Sequence, residues 1–206
     1  MHPEAIDEKT KRVLEKIAGT DLAKNFYLAG GTALAVHLGH RKSIDLDWFS
    51  NKVFSNSEIK KILSTLGDFV LMGEEEGTVH GILDGVKISF LRYDYELLFP
   101  LVNFENILLA DERDISAMKI DAISSRGSKK DFIDLFFLLK KYSLKDLIGF
   151  FEKKYSAIEY NKLHILKSLS YFSDAEDDPM PIMLEDEKWE DMKEYISDET
   201  HSLLEK

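Results

Sequence analysis

The residues from Phe26 to Ser50, FYLAGGTALAVHLGHRKSIDLDWFS, hold the side chains best suited to chemistry in this chain. A double glycine is followed by a hydroxyl (Gly30, Gly31, Thr32), and after a short apolar stretch come two aspartates separated by one residue, Asp45 and Asp47. Without side chains, Gly30 and Gly31 let backbone N–H groups approach phosphate oxygens, and a helix starting there adds its positive end. Thr32 can donate its hydroxyl, and Arg41 and Ser43, just ahead of the aspartates, are placed to contact phosphates as well. Two carboxylates on one side of a strand can bind one or two Mg²⁺ ions, which prefer oxygen ligands and are usually completed by water and substrate phosphates. Such an ion neutralises charge on a transferring phosphoryl group and activates the attacking oxygen. A lone D-x-D or a lone GG is commonplace. The ordered series of strand, GG-T, helix and strand with D-x-D is what points to metal-assisted chemistry on a nucleotide. It requires the tip of the first strand and the acidic side of the second to converge on one pocket.

The elements that must position these residues follow from pattern. An amphipathic helix is predicted over Ile6 to Ile17, a short strand over Phe26 to Ala29, and a helix over Thr32 to Leu38 that Gly39 ends. From Ser43 to Phe49 the chain alternates, with Ile44, Leu46 and Trp48 on one side and Asp45, Asp47 and Phe49 on the other, so both aspartates fall on one face of a strand. Ser57 is a candidate cap for a helix through Leu66. Strands are predicted over Phe69 to Met72, Thr78 to Leu83 and Val86 to Tyr93, the last two joined by the hairpin turn Asp84-Gly85. After Pro100 the pattern is helical almost to the end: Asp114 to Ser124, Ser128 to Tyr142 with a capping-box variant from Ser128 to Asp131, Lys145 to Tyr155, Tyr160 to Phe172 and Glu187 to Ile196. The fold class is therefore α/β (α+β), with an α/β domain over 1–105 followed by a helical domain over 106–206.

Composition narrows the setting. The absence of cysteine excludes disulfides and thiolate metal sites and fits a reducing cytoplasm. The N-terminus is charged throughout, unlike a signal peptide, and no stretch approaches the ~20 apolar residues of a membrane span, so a cytoplasmic protein without membrane association is expected. The net charge of −11 is uneven, because Asp174 to Lys206 carries 13 acidic and 3 basic residues while the first 173 hold 25 and 24. An acidic total argues against broad nucleic-acid binding but leaves room for a local basic groove, and Lys119, Arg126, Lys129 and Lys130 fall within 12 residues of each other. The acidic tail reads as a solvated helix face, or as a docking surface for a basic partner.

GGTAL…GHRKSIDLDWF resembles the first motif of nucleotidyltransferase-like proteins of the AbiEii type, the toxins of abortive-infection (type IV) toxin–antitoxin systems. DISAMKIDAISSRGSKKDFIDLFFLLKKY, from Asp114 to Tyr142, resembles the second, in which a lysine on a helix is followed by an arginine, a basic-Asp pair and another Asp before an aromatic-rich run. Lys119, Arg126, Lys130, Asp131 and Asp134 stand at those places, and the similarity runs from about Phe26 to Ile196. The resemblance implies a polymerase-β-like nucleotidyltransferase domain with a mixed sheet, followed by a helical domain that completes the cleft. It implies binding of an NTP and of Mg²⁺, with Mn²⁺ as an alternative. It also implies transfer of a nucleotide to an acceptor hydroxyl, in RNA such as the tRNA 3′ end, with an antitoxin as regulator. Asp45 and Asp47 are then the metal ligands and catalytic carboxylates, Gly30, Gly31, Thr32, Arg41 and Ser43 the nucleotide-binding residues, and Lys119 a point charge on the triphosphate.

Several residues keep more than one reading. Lys119 by itself belongs on a solvated helix face; Arg126 could bind phosphate or RNA backbone, or cap its helix; Asp131 suits a helix N-terminus. Asp134, among Phe132, Ile133, Leu135, Phe136 and Phe137, needs a partner. A salt bridge to Arg126 or Lys130 is the structural explanation and the simpler one. Holding Lys119, or acting as a base, keeps Asp134 among the catalytic candidates. The third carboxylate usual in this fold falls at Ser89, and neither Lys87, Phe90, Asp84 nor Asp94 supplies an acid in register. The site is then completed by substrate and water, or by Asp131 or Asp134, or the protein is a weak or inactive NTP binder with a regulatory role. A D-x-D glycosyltransferase is a third possibility that the early GG-T does not support. His37, His40 and His80 show no ligand spacing; His37 reads as packing, and a phosphate contact by His40, beside Arg41, is the lesser of its readings.

Overall fold

The computed structural model describes residues 1–204, and the chain divides into two compact units. One comprises 1–96 and 100–111, the other 97–99 and 112 onward.

In the first unit, after a 3₁₀ turn over Pro3–Ala5, come α1 (Glu8–Ala18), α2 (Leu22–Asn25), β1 (Tyr27–Ala29), α3 (Gly30–Leu38) and β2 (Leu46–Ser50). They are followed by α4 (Asn56–Leu66), β3 (Phe69–Glu75), β4 (Thr78–Leu83), β5 (Val86–Arg92), β6 (Val102–Phe104) and β7 (Ile107–Leu109). Among the described residues seven strands form one mixed sheet in the order β3-β4-β5-β2-β1-β7-β6. β2 runs antiparallel to β1 and parallel to β5. Asp84 and Gly85 both have positive φ, 48° and 75°, as the two-residue turn requires. Period-two alternation gives the sheet two different faces. On one, Leu28, Trp48, Phe90 and Val79 sit side by side across four strands and are buried. Phe90 stacks on Trp48 at 6.1 Å, and α1 and α4 contribute Val13, Leu14, Ile17, Ile59 and Leu63 to the buried apolar set. On the other, the corresponding row is Ala29, Asp47, Ser89, His80 and Gly73.

The structure corrects the sequence reading in four places. The helix predicted from Ser57 starts at Asn56, with Ser55 at the N-cap position and no side-chain capping bond. The stretch after Pro100, read as helical, first forms the β6–β7 hairpin around Glu105 and Asn106, both at positive φ, and β7 extends the sheet beside β1. β2 starts at Leu46, so Asp45 stands outside it. The backbone of 43–45 bonds elsewhere: Ser43 N–H to the Ala5 carbonyl, Ile44 carbonyl from Thr10, and Asp45 carbonyl from the Thr32 hydroxyl. Finally, the Ser128 hydroxyl gives no cap to the backbone but donates to the Asp131 carboxylate at 2.7 Å.

The second unit is helical: α5 (Glu112–Ser125), α6 (Lys129–Leu139), α7 (Leu144–Lys154), α8 (Lys162–Ser168), a 3₁₀ turn at Ser173–Ala175 and α9 (Trp189–Leu204). α6 is buried nearly all round. α9 buries Met192, Ile196 and Thr200, spaced one turn apart, and leaves most of its acids exposed, as a solvated face does. Leu98 and Phe99 belong to this unit because their N–H groups donate to the Asp114 carboxylate, which also takes the Lys154 ammonium at 2.8 Å. Both side chains of that pair are almost fully buried, and each charge depends on the other. Lys154→Ala therefore lowers the unfolding free energy by about 3–5 kcal/mol, read by chemical denaturation. Lys153→Ala, one residue away and exposed, changes it by less than about 0.5 kcal/mol; equal effects contradict the assignment.

Candidate functional site

β1 runs directly into α3 through Gly30, whose φ is +69° and whose missing Cβ would stand 3.2 Å from Asp47 Oδ2. Ala29 precedes the helix and offers no side-chain cap, so the first N–H groups of α3 have no such partner. At Gly31 a Cβ would stand 2.7 Å from Arg41 Nη2 and 3.6 Å from Ser43 Oγ. Thr32 bonds to Ser43 Oγ at 2.8 Å and to the Asp45 carbonyl. Gly30, Gly31, Thr32, Arg41, Ser43 and Asp47, with Asp45 through its backbone carbonyl, thus form one cluster within the first unit, with the two glycines closing against the groups they face.

Their tasks within the cluster differ. Thr32 is buried and its hydroxyl engages protein oxygens, tying α3 to the approach of β2. Arg41 is also buried; it donates to the Lys42 carbonyl at 3.0 Å and lays its guanidinium against Gly31. Ser43, Asp45 and Asp47 are half-buried. His40 is fully buried, which removes it as a surface phosphate contact, and His37 bonds the Ala110 carbonyl at 2.8 Å, as a packing residue does.

Among the described residues no group of three or more His, Asp or Glu side chains is arranged to hold a metal ion. The donor set at Asp45 and Asp47 nonetheless fits Mg²⁺. Both offer hard oxygen ligands, and Mg²⁺ commonly takes only one or two protein carboxylates and completes its shell with water and phosphate. Ser89 is the register partner of Asp47 on β5, so a hydroxyl occupies the place of a third acid. His80 is the register partner of Ser89 on β4, and its Nδ1 lies 3.1 Å from Ser89 Oγ. The sequence contained this signal: a two-residue turn at Asp84-Gly85 puts Leu83 opposite Val86 and therefore His80 opposite Ser89.

The second unit gathers the other predicted residues. Lys119, with a side chain only 7% exposed, bridges Asp131 at 2.8 Å and Asp134 at 2.6 Å. Asp134 is paired with Lys119, and it is Asp131 that takes Arg126, at 3.1 Å. Burial pushes the Asp131 carboxyl up, but Lys119 and Arg126 outweigh it and hold it below the usual carboxylate range. Lys130 is exposed, while Lys129 is buried against the carbonyls of Glu176 and Asp178.

Residues 12–102 match the family described as nucleotidyl transferase AbiEii toxin of type IV toxin–antitoxin systems. Over 208 residues the chain is 38% identical to an uncharacterized protein of Aquifex aeolicus (strain VF5), covering 97% of this chain and 98% of that one. Among solved structures, a Helicobacter pylori protein assigned as a nucleotidyltransferase aligns with a TM-score of 0.57 at 18% identity, covering 95% and 91% of the two chains. The nucleotidyltransferase toxin MenT4 of Mycobacterium tuberculosis aligns with 0.55 at 13% identity, covering 95% and 86%. At these identities the solved structures establish the fold.

A side chain at Gly30 must take an unfavourable φ and press on Asp47. Gly30→Ala therefore costs about 1–2 kcal/mol in an unfolding titration. Gly149→Ala, on an exposed helix position with nothing within 4 Å of the added carbon, stabilises by about 0.5–1 kcal/mol. Like signs for the two variants contradict the description of the turn.

Proposed function

We propose a function from an established premise: the chain belongs to the AbiEii family of nucleotidyl transferase toxins of type IV toxin–antitoxin systems. It is a nucleotidyltransferase, and an NTP substrate and an antitoxin partner come with that family. Among the described residues no helix is long and apolar enough to cross a membrane. The finer reading is a Mg²⁺-dependent enzyme that moves a nucleotide from an NTP to an acceptor hydroxyl of RNA, at the 3′ end of tRNA. The observation that carries it is the meeting of the glycine turn with the aspartates, Gly30 against the Asp47 carboxylate. A phosphate chain laid against the uncapped start of α3 brings its oxygens to Asp45 and Asp47.

In this reading the first N–H groups of α3 meet the phosphates, Gly30 and Gly31 leave room for Asp47 and Arg41 beside them, Arg41 braces the turn and contributes positive charge, and Ser43 and Thr32 fix the Asp45 backbone. Asp45 and Asp47 hold Mg²⁺, which when bound neutralises charge on the transferring phosphoryl group. In the second unit Lys119 is a positioned positive charge, its ammonium held by Asp131 and Asp134, with Arg126 paired to Asp131. Asp134 is then a positioning residue for Lys119. The domains are an α/β part that carries Asp45 and Asp47 and a helical part that carries Lys119.

A second reading has one observation behind it, the hydroxyl of Ser89 beside Asp47 where an acid is usual. It makes the protein an NTP binder that transfers little. One experiment separates the two. With α-labelled NTP, Mg²⁺ and total tRNA, the enzyme places label in RNA, and Asp47→Ala lowers the rate by ~10²-fold or more while the protein stays folded. NTP binding without transfer supports the binder, and label that survives Asp47→Ala overturns the site.

A further inference from the structure

On the face of the sheet that carries Asp47, Ser89 and His80 follow as its next two neighbours across the strands. Adjacent strands lie about 4.8 Å apart, so Ser89 borders Asp47 directly and His80 stands one strand further. Ser89 is half-buried, His80 is exposed, and Nδ1 of the imidazole lies 3.1 Å from the hydroxyl oxygen. The proposed function gives neither residue a task, yet both lie on the sheet face that carries Asp47.

We propose that Ser89 and His80 form a relay that removes the proton from the acceptor hydroxyl. The inference rests on the nucleotidyl-transfer reading. A serine hydroxyl alone is too weak a base, but one that donates to an imidazole can accept a proton at its oxygen while giving up its own. The acceptor oxygen bonds to the α-phosphorus, the bond from that phosphorus to the bridging oxygen breaks, and pyrophosphate leaves with the electron pair. The acceptor proton passes to Ser89 Oγ, the serine hydrogen passes to His80 Nδ1, and the resulting imidazolium releases its Nε2 proton to water. No oxidant, reductant or further reactant is required. The relay uses the tautomer with hydrogen on Nε2 and a free lone pair on Nδ1.

The groups facing the imidazole are few. From β5, Ser89 is directly opposite and Lys87 is the diagonal neighbour; from β3, Gly73 is opposite and Glu75 diagonal; from β2, Asp47 lies beyond Ser89. On α4, Asn56 bonds the Glu75 and Thr78 carbonyls, and Lys60 pairs with Glu74, whose β4 partner is the buried Val79. The relay requires a free lone pair on His80 Nδ1 to receive the serine hydrogen.

Two measurements test this. In the intact protein without nucleotide, ¹⁵N–¹H correlation spectra of His80 above neutral pH show the Nε2–H tautomer, and Ser89→Ala mixes the two tautomers. A dominant Nδ1–H form overturns the relay whatever the enzyme does. In transfer assays, His80→Ala and Ser89→Ala each lower kcat by ~10²-fold or more, leave KM for the NTP unchanged, and retain the parent melting temperature. Adding Ser89→Asp to His80→Ala restores at least tenfold. Activity of His80→Ala within threefold of the parent overturns the relay while leaving nucleotidyl transfer intact. A parent protein that places no nucleotide on RNA removes the underlying reading and the relay with it. A nucleotide found covalently on Ser89 by mass spectrometry makes that serine an acceptor and also overturns the proposal.

Discussion

The space that a side chain would fill at Gly30 is taken by the carboxylate of Asp47. That single exclusion orders the first unit. It lets β1 pass into α3 without an intervening loop, brings the start of the helix against an acidic strand, and requires the positive φ that glycine adopts without strain. Arg41 packed against Gly31, and Thr32 bonded to Ser43 and the Asp45 carbonyl, hold the same geometry from the other side. The buried row of Leu28, Trp48, Phe90 and Val79 fixes the register beneath it. A slip of one residue would carry Asp47 into that core and Trp48 into solvent, so the apolar face and the acidic face are specified together.

The second unit meets a different constraint. A helix as apolar as α6 must be buried, and two of its residues are aspartates. Their charges are tolerable inside because Lys119 is delivered from α5 to both, with Arg126 and Ser128 adding bonds to Asp131. The result is an ammonium held at a fixed point by two carboxylates, an arrangement suited to a positioned charge and unsuited to a mobile one. Asp114 and Lys154 repeat the principle, there to fasten residues 97–99 to the helices.

Much of this was legible in the sequence, and the reasons are specific. Asp84-Gly85 announced its hairpin because both positions need positive φ, and Gly39 ended α3 in the left-handed conformation for the same reason. The glycine turn and the aspartates could be placed near each other because short-range order constrains 25 residues strongly. What the sequence hid was mostly tertiary. Asp45 lost its strand because Thr32, Ala5 and Thr10 satisfy that backbone instead. The β6–β7 hairpin is three residues a side and too short for a periodic signal, although Asn106 marks its turn. The pairing of Asp134 with Lys119, and of Asp114 with Lys154, joins residues on different helices, which spacing along one chain does not reveal. His80 has no ligand spacing along the chain, yet the hairpin register places it opposite Ser89.

The central claim is that the turn at Gly30 and the aspartates form one nucleotide–cation pocket. Paramagnetic Mn²⁺ added with an NTP tests it directly, because the ion broadens amide resonances according to their distance from where it binds. The account predicts that Gly31, Asp47 and Ser89 broaden first, at substoichiometric ion, and that Asp47→Ala abolishes the effect. Broadening that begins instead in the acidic stretch from Glu185 to Asp191, and that is indifferent to Asp47→Ala, contradicts it.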